Sequence, residues 1–366
     1  MKFFAILILA LLATTQVLWG QSGGRESLEQ TYNAQRAATL MATHYNAATL
    51  QTLQKQVDVW AKLCLLESHN AENWFNYYMI VRQYQLQSNK GIISNEGDKS
   101  LTTIAAKMDS AITQKSFETY MVNYFEAPTY EKATQYLTDA EKISPQHPII
   151  LPELVKYYHH TGNYTQRNLL LQKLPQIAPK TGLYALSKAM ADNLPDSSCV
   201  ITNGEYDTYA LWLAALNAGK HITVYSLKFE GTEKGHSNNT TPNASALQKV
   251  LTTIPKNKSV YISLTVNPDY YSTILPQLYN MGVCYQYSAS AVDNIPFLNN
   301  TLVEKQPVSP YPSTGTEVLK NLMPGYIVLY RHYKTTDTTK AAQTKQAAKD
   351  FAQQLGFWNN YQSYFN

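Results

Sequence analysis

The chain has 366 residues, 15% charged and 12% aromatic, with a formal charge of +4. That near balance argues against nucleic acid as the main partner, and the length exceeds what one hydrophobic core serves, so two or three units are expected. Three cysteines, Cys64, Cys199 and Cys284, without CxxC spacing, exclude a disulfide framework; buried free thiols are expected, with a Cys199–Cys284 pair as the alternative.

Residues 1–20 read as a secretory signal. Lys2 is the charged n-region, and Phe3 to Leu12 form a ten-residue apolar h-region. Ten residues are too few to span a hydrocarbon core, which needs ~20, and no later run is longer. The mature chain is therefore expected to be exported, to the periplasm or the outer membrane, and not integral to the membrane.

Residues 26–193 read as helical. Leu53, Val57, Trp60, Ala61 and Cys64 fall on one helical face, and Trp74, Tyr77, Tyr78 and Val81 open the next. A spacing of 34 residues relates Pro145 to Pro179, Tyr130 to Tyr164, Tyr120 to Leu154 and Tyr124 to Tyr158. Two helices per unit, an aromatic after the turn and a Pro after the second helix resemble tetratricopeptide repeats. In that reading the turn aromatic packs between the helices, and residues 88–102 are an inserted loop. A non-repeating helical bundle is the alternative.

From residue 197 to 292 the pattern changes. Strands are expected at Ser198–Thr202, Ile222–Leu227, Val260–Val266 and Val283–Tyr287, with helices at Asp207–Ala218, Ala244–Ile254 and Pro268–Met281. Such alternation predicts a parallel three-layer α/β domain with right-handed crossovers. The first helix is apolar on nearly every side and should be buried. Gly219 is placed to close it. Residues 293–315, with several prolines, read as an irregular connection. Residues 316–356 read as a C-terminal helical hairpin, and the aromatic tail 357–366 is expected to pack back on the protein or to dock. The expected fold class is thus α/β plus all-α: tetratricopeptide-like repeats, then the α/β domain, then the hairpin.

Ligands of open parallel sheets bind beyond the carboxyl ends of the strands, near helix N-termini. Two strand ends carry polar groups here, one with Asn203, Gly204, Glu205, Asp207 and Thr208, the other with Thr265, Asn267 and Asp269. Gly204 would permit a tight turn at positive φ, and Asp207 or Thr208 would cap the following helix. The same residues could instead line a pocket for a sugar, phosphate or cation, with Glu205, Asp207 and Asp269 converging. No dinucleotide fingerprint, phosphate loop, HExxH or nucleophile elbow occurs, and the His residues are scattered, so no catalytic residue, metal or cofactor is assigned. His159–His160 is read as a surface or satisfied pair.

The stretch Ile201-Thr202-Asn203-Gly204-Glu205-Tyr206-Asp207-Thr208-Tyr209-Ala210-Leu211-Trp212 is similar to a Thr-Asn-Gly-Asp-Asn-Asp-Thr-Tyr-Pro-Leu-Trp motif. That motif belongs to the soluble C-terminal part of large bacteroidete membrane proteins of the protein O-mannosyltransferase-like family. Val260–Tyr270, Leu278–Tyr285 and Leu322–Lys334 extend the resemblance, which covers about residues 197–355. Glu205, Tyr206 and Ala210 depart from the motif's Asp, Asn and Pro. The resemblance implies the soluble α/β part alone; glycosyl transfer would belong to the family's membrane region. Three readings follow: a scaffold that binds protein partners through the helical repeats, a carbohydrate-binding or carbohydrate-active domain at the strand ends, and a soluble partner of an envelope glycosyltransferase.

Overall fold

A computed structural model describes residues 47–89, 93–227, 244–306, 308 and 311–366. The signal-like residues 1–20 and the polar loop 228–243 lie outside them. The described chain is mostly helical, with one small mixed sheet, and all of it falls within one compact unit, Tyr45–Asn366.

The helical region begins with α1 (Ala47–Leu66) and α2 (Ala71–Ser88), which pack on each other. Leu53, Trp60 and Cys64 of α1 and Trp74, Tyr78 and Val81 of α2 are buried, as the 3.6-residue spacing requires. Asn70 caps α2 by accepting from the backbone N–H groups of Glu72 and Asn73. Next comes α3 (Asn95–Ala111), occupying much of the stretch expected to be a loop. Ser94 caps it, Glu96 and Asp98 sit in its positive first turn, and Leu101, Ile104, Ala105 and Met108 form its buried face. The polar run at 94–100 is a helix start, and its polarity hides that.

Two further hairpins follow, α4 (Phe117–Glu126) with α5 (Tyr130–Ile143), and α6 (Ile150–His160) with α7 (Tyr164–Leu171). A capping box between Ser116 and Thr119 starts α4. Thr129 and Asn163 cap α5 and α7. The tyrosines after those caps do not pack between helices: Tyr130 and Tyr164 are 43% and 53% exposed. Each ring instead meets a histidine at the C-terminal end of α6, His160 for Tyr130 and His159 for Tyr164. Helix α8 (Gly182–Asn193) then leads to the sheet.

The sheet contains β1 (Cys199–Thr202), β2 (Thr223–Ser226), β3 (Val260–Ser263), β4 (Leu278–Asn280) and β5 (Cys284–Tyr287) in the order β2-β1-β3-β5-β4. Strand β1 is parallel to both β2 and β3, joined through α9 (Glu205–Asn217) and α10 (Ala244–Thr253). β5 runs antiparallel to β3 and to β4, so the sheet is mixed and the expected all-parallel order is corrected.

The reason lies in 268–281, which is not one long helix. It forms a short helix α11 (Pro268–Tyr271), a 3-10 segment holding Pro276, and then β4. Pro276 lacks the N–H a continuing helix needs. Without a full crossover helix the chain cannot return parallel, and it turns back as a hairpin instead. Gly282 sits at φ 83°, donating its N–H to Asn280 Oδ1 at 2.7 Å.

One face of the sheet, with Val200, Tyr261 and Cys284, shares a core with α8, α9 and the C-terminal helices. The other face, with Ile201 and Ile262, packs on Leu247 and Val250 of α10 and on Tyr270 and Ile274. The stretch read as irregular contains a short helix α12 (Ile295–Leu298), with Pro296 in its first turn, and a following helical turn whose Leu302 is fully buried. Helices α13 (Met323–Thr336) and α14 (Thr338–Gln354) form the closing hairpin, capped by Asp337. Gly356 leaves it at φ 79°. The tail packs back: Phe365 is fully buried beside Tyr330, whose hydroxyl donates to the Phe365 carbonyl at 3.0 Å. All three cysteines are free and buried.

Candidate functional site

The strand-to-helix turn after β1 follows from Asp207. Gly204 is the N-cap of α9, and Asp207 stands at the third helical position, where a carboxylate can reach back over the first turn. Its Oδ1 accepts from the N–H groups of Gly204 (2.8 Å) and Thr208 (3.1 Å). Its Oδ2 accepts from Asn203 N–H (2.7 Å) and from the Thr265 hydroxyl (2.5 Å). A carboxylate offers about four lone-pair positions, and these four donors take them. Asp207 is only 7% exposed. It caps its helix and ties the β3 loop to the β1 loop.

Gly204 is extended, at φ −166°, so the positive φ expected there is corrected. The turn is made by Asp207 drawing in two consecutive N–H groups, which needs no left-handed residue. Thr208 is fully buried: its hydroxyl donates to the Gly204 carbonyl and meets the Thr202 hydroxyl, each at 2.6 Å. Asn203 Oδ1 accepts from Asn267 N–H at 3.4 Å. Asn267 in turn caps α11 by accepting from Asp269 N–H at 3.0 Å. Both Asn267 and Asp269 are exposed. The two loops therefore do meet, through Asp207–Thr265 and Asn203–Asn267. The bonds that join them fix the backbone and leave Asp207 closed to a ligand.

Glu205 faces the helical region. It pairs with Lys156 of α6 at 2.8 Å, and Lys156 also pairs with Glu153 at 2.5 Å. Tyr124 of α4 donates its hydroxyl to Glu153 at 2.7 Å, and Tyr209 of α9 donates to the Pro152 carbonyl at 2.9 Å. Burial alone would raise the Glu153 carboxyl; the Lys156 charge and the bonds from Lys156 and Tyr124 outweigh it and hold the group below the ordinary carboxylate value. Burial would likewise lower Lys156, but Glu153 and Glu205 hold its ammonium well above the ordinary lysine value. Lys156 is thus a cation fixed between two carboxylates, and its raised value disfavours it as a nucleophilic amine.

A second cluster joins the same two regions. The His159 ring lies over Trp212 at 4.3 Å, and Arg167 stacks on Trp212 (4.6 Å) and Tyr164 (4.8 Å). His159 Nδ1 sits 3.1 Å from Arg167 Nη1 and accepts from it. Burial, and then the Arg167 charge, push the His159 pKa from 6.5 to about 4, so the ring is neutral. The satisfied-pair reading of this histidine fits its surroundings. Of the other participants, Glu205, Tyr164, Tyr209 and Trp212 stand out in the chain, but not as members of these clusters. Tyr124 and Tyr158 carried the 34-residue spacing as a signal; Glu153, Lys156 and Arg167 are helix residues with no mark of pairing over a distance of 49 positions such as that from Lys156 to Glu205.

Among the described residues, no group of three or more His, Cys, Asp or Glu is placed to hold a metal ion. No described helix is long and apolar enough to cross a membrane. Comparison with protein-family models and with curated proteins finds no match.

Proposed function

We propose that the chain is an exported, non-enzymatic scaffold of the cell envelope, whose tetratricopeptide-like helical pairs bind a protein partner while the α/β part braces them. The observation that carries this reading is the closed strand-end turn. Asp207, the one buried acid at the parallel strand ends among the described residues, gives its acceptor positions to four internal donors. The export signal at 1–20 and the 34-residue spacing support the compartment and the binding mode. Helices layered on both faces of the sheet, with α9 pinned to α6 through Glu205 and Lys156, supply a stiff base for the repeats. The resemblance of residues 197–355 to the soluble part of the O-mannosyltransferase-like family extends the scaffold reading to a membrane glycosyltransferase as one class of partner.

Affinity capture from crosslinked envelope extract tests the proposal. The full chain is expected in the exported fraction and should retain a partner that a variant altered on exposed α1–α7 positions, such as Leu65→Glu with Leu169→Glu, releases. A chain found only in the cytoplasm, or a captured set the same for both proteins, would count against it.

A further inference from the structure

Trp212 is a large ring set at a joint rather than in a core. It is 6% exposed, yet it belongs to neither apolar cluster of the sheet. On the helical side its cover includes two polar side chains, the His159 ring at 4.3 Å and the Arg167 guanidinium at 4.6 Å. These two meet each other at 3.1 Å, so they lie side by side against the indole.

The pair fits in one protonation state. Neutral His159 offers Nδ1 as an acceptor to Arg167 Nη1. A protonated ring carries N–H donors at both nitrogens, so donor would face donor, and cation would face cation, at hydrogen-bond distance. The surrounding groups supply no relief. On α6, His160 comes next in the chain, and Lys156 is already held between Glu153 and Glu205 of α9. Helix α7 gives Arg167 and Tyr164, α9 gives Tyr209 beside Trp212, and Tyr130 of α5 meets His160. The charges that act on the ring are those of Arg167 and His160, and both oppose its protonation. Two effects favour a cation here, the C-terminal end of α6 and the indole face. The first is small at a helix end open to salt, and Arg167 already occupies the second.

Arg167 is the fixed member of the pair. It donates to Asn168 Oδ1 at 3.1 and 2.8 Å and stacks on Tyr164. His159 stands in the last turn of α6, with His160 and the turn 161–163 exposed beyond it. We propose that His159 is an acid-released cover of Trp212: protonation swings its ring out to water and opens the indole at the joint between α6 and α9. This stands apart from the scaffold reading, because it needs no partner. The covered ring is depressed, so the cover is complete above the ordinary value of 6.5 and is lost as pH falls towards about 4.

Acrylamide quenching of tryptophan fluorescence in the full chain, followed from neutral pH to about pH 4 beside far-UV circular dichroism, tests it. The part of the signal that Trp212→Phe removes should become more quenchable in acid while the helical dichroism holds. The open fraction should rise about tenfold, the share of a value lowered from 6.5 to about 4 that survives solvent screening at a part-exposed ring. His159→Gln, whose Oε1 still accepts from Arg167, should give quenching that is flat with pH. Arg167→Met removes the opposing cation and should keep the indole covered in acid. Quenching of Trp212 that is the same at both ends of the range, or an acid rise that persists in His159→Gln, overturns the proposal. So does a loss of helical dichroism that coincides with the rise, for that is unfolding and not the release of one ring.

Discussion

Asp207, Lys156 and His159 each hold a position that function-seeking chemistry would use, and each is occupied by structure. Removing the carboxylate in Asp207→Ala leaves the N–H groups of Asn203 and Gly204 and the Thr265 hydroxyl without their acceptor. Cap loss and orphaned buried donors together should cost about 2–3 kcal/mol; a urea midpoint within error of the wild type would contradict the assignment. Lys156→Met strands Glu153, which is only 9% exposed, and should cost about 3–5 kcal/mol. Adding Glu153→Gln should recover most of that, because the amide keeps a bond to Tyr124 without an unpaired charge.

The pH dependence has a defined sign at both groups. Glu153 is held below its ordinary value, so its stabilising share is present above the ordinary carboxylate range and is lost as pH falls through the folded value. In Lys156→Met that sign reverses, and mild acidification should stabilise the variant. His159 is also depressed. The unfolded chain takes up its proton first, so stability declines as pH falls from 6.5 towards about 4. His159→Gln should flatten that part of a stability-against-pH curve while leaving the rest in place.

At the scale of elements, legibility followed burial pattern. Helix α9 was readable because nine consecutive residues, Asp207 to Ala215, are buried, and an all-round apolar helix can only be internal. The closing hairpin was readable from its periodicity and from Gly356. The β4–β5 hairpin was not. Leu278-Tyr279-Asn280 continues a helical pattern in the chain as well as it fits a strand, and Pro276 decides between them. Helix α3 was hidden for the opposite reason, since its first turn is all polar or glycine and its apolar face begins only at Leu101. At the candidate site the chain suggested Glu205, Asp207 and Asp269 as converging; the side chain of the β3 loop that reaches Asp207 is Thr265, while Glu205 faces Lys156 of α6 and Asp269 is exposed. The chain could not show that the Asp207–Thr265 contact closes the turn, because a capping carboxylate and a ligand-facing one read alike. A tail test belongs at this scale: Phe365→Ala removes a fully buried ring beside Tyr330 and Trp358 and should cost about 3–5 kcal/mol, measured by denaturant unfolding.

For the molecule as a whole, the two clusters at α6 and α9 matter more than any strand end. Glu205–Lys156–Glu153 and Trp212–His159–Arg167 join chain segments about fifty residues apart and make the helical region and the sheet one compact unit. Hydrogen exchange should therefore show α6 and α9 protected to similar levels, and Lys156→Met should loosen both together. Exchange that speeds up in α6 while α9 is unchanged would mean the two open independently.

The buried tail acts as a latch on the central core. Phe365 lies in the same core as Leu186 of α8 and Val200 of β1. Whenever residues 357–366 lift away, α13 and α14 lose part of the cover of their apolar faces, a state in which chains are prone to associate wrongly. Aggregation under mild destabilisation should therefore begin at this latch, before the sheet itself opens.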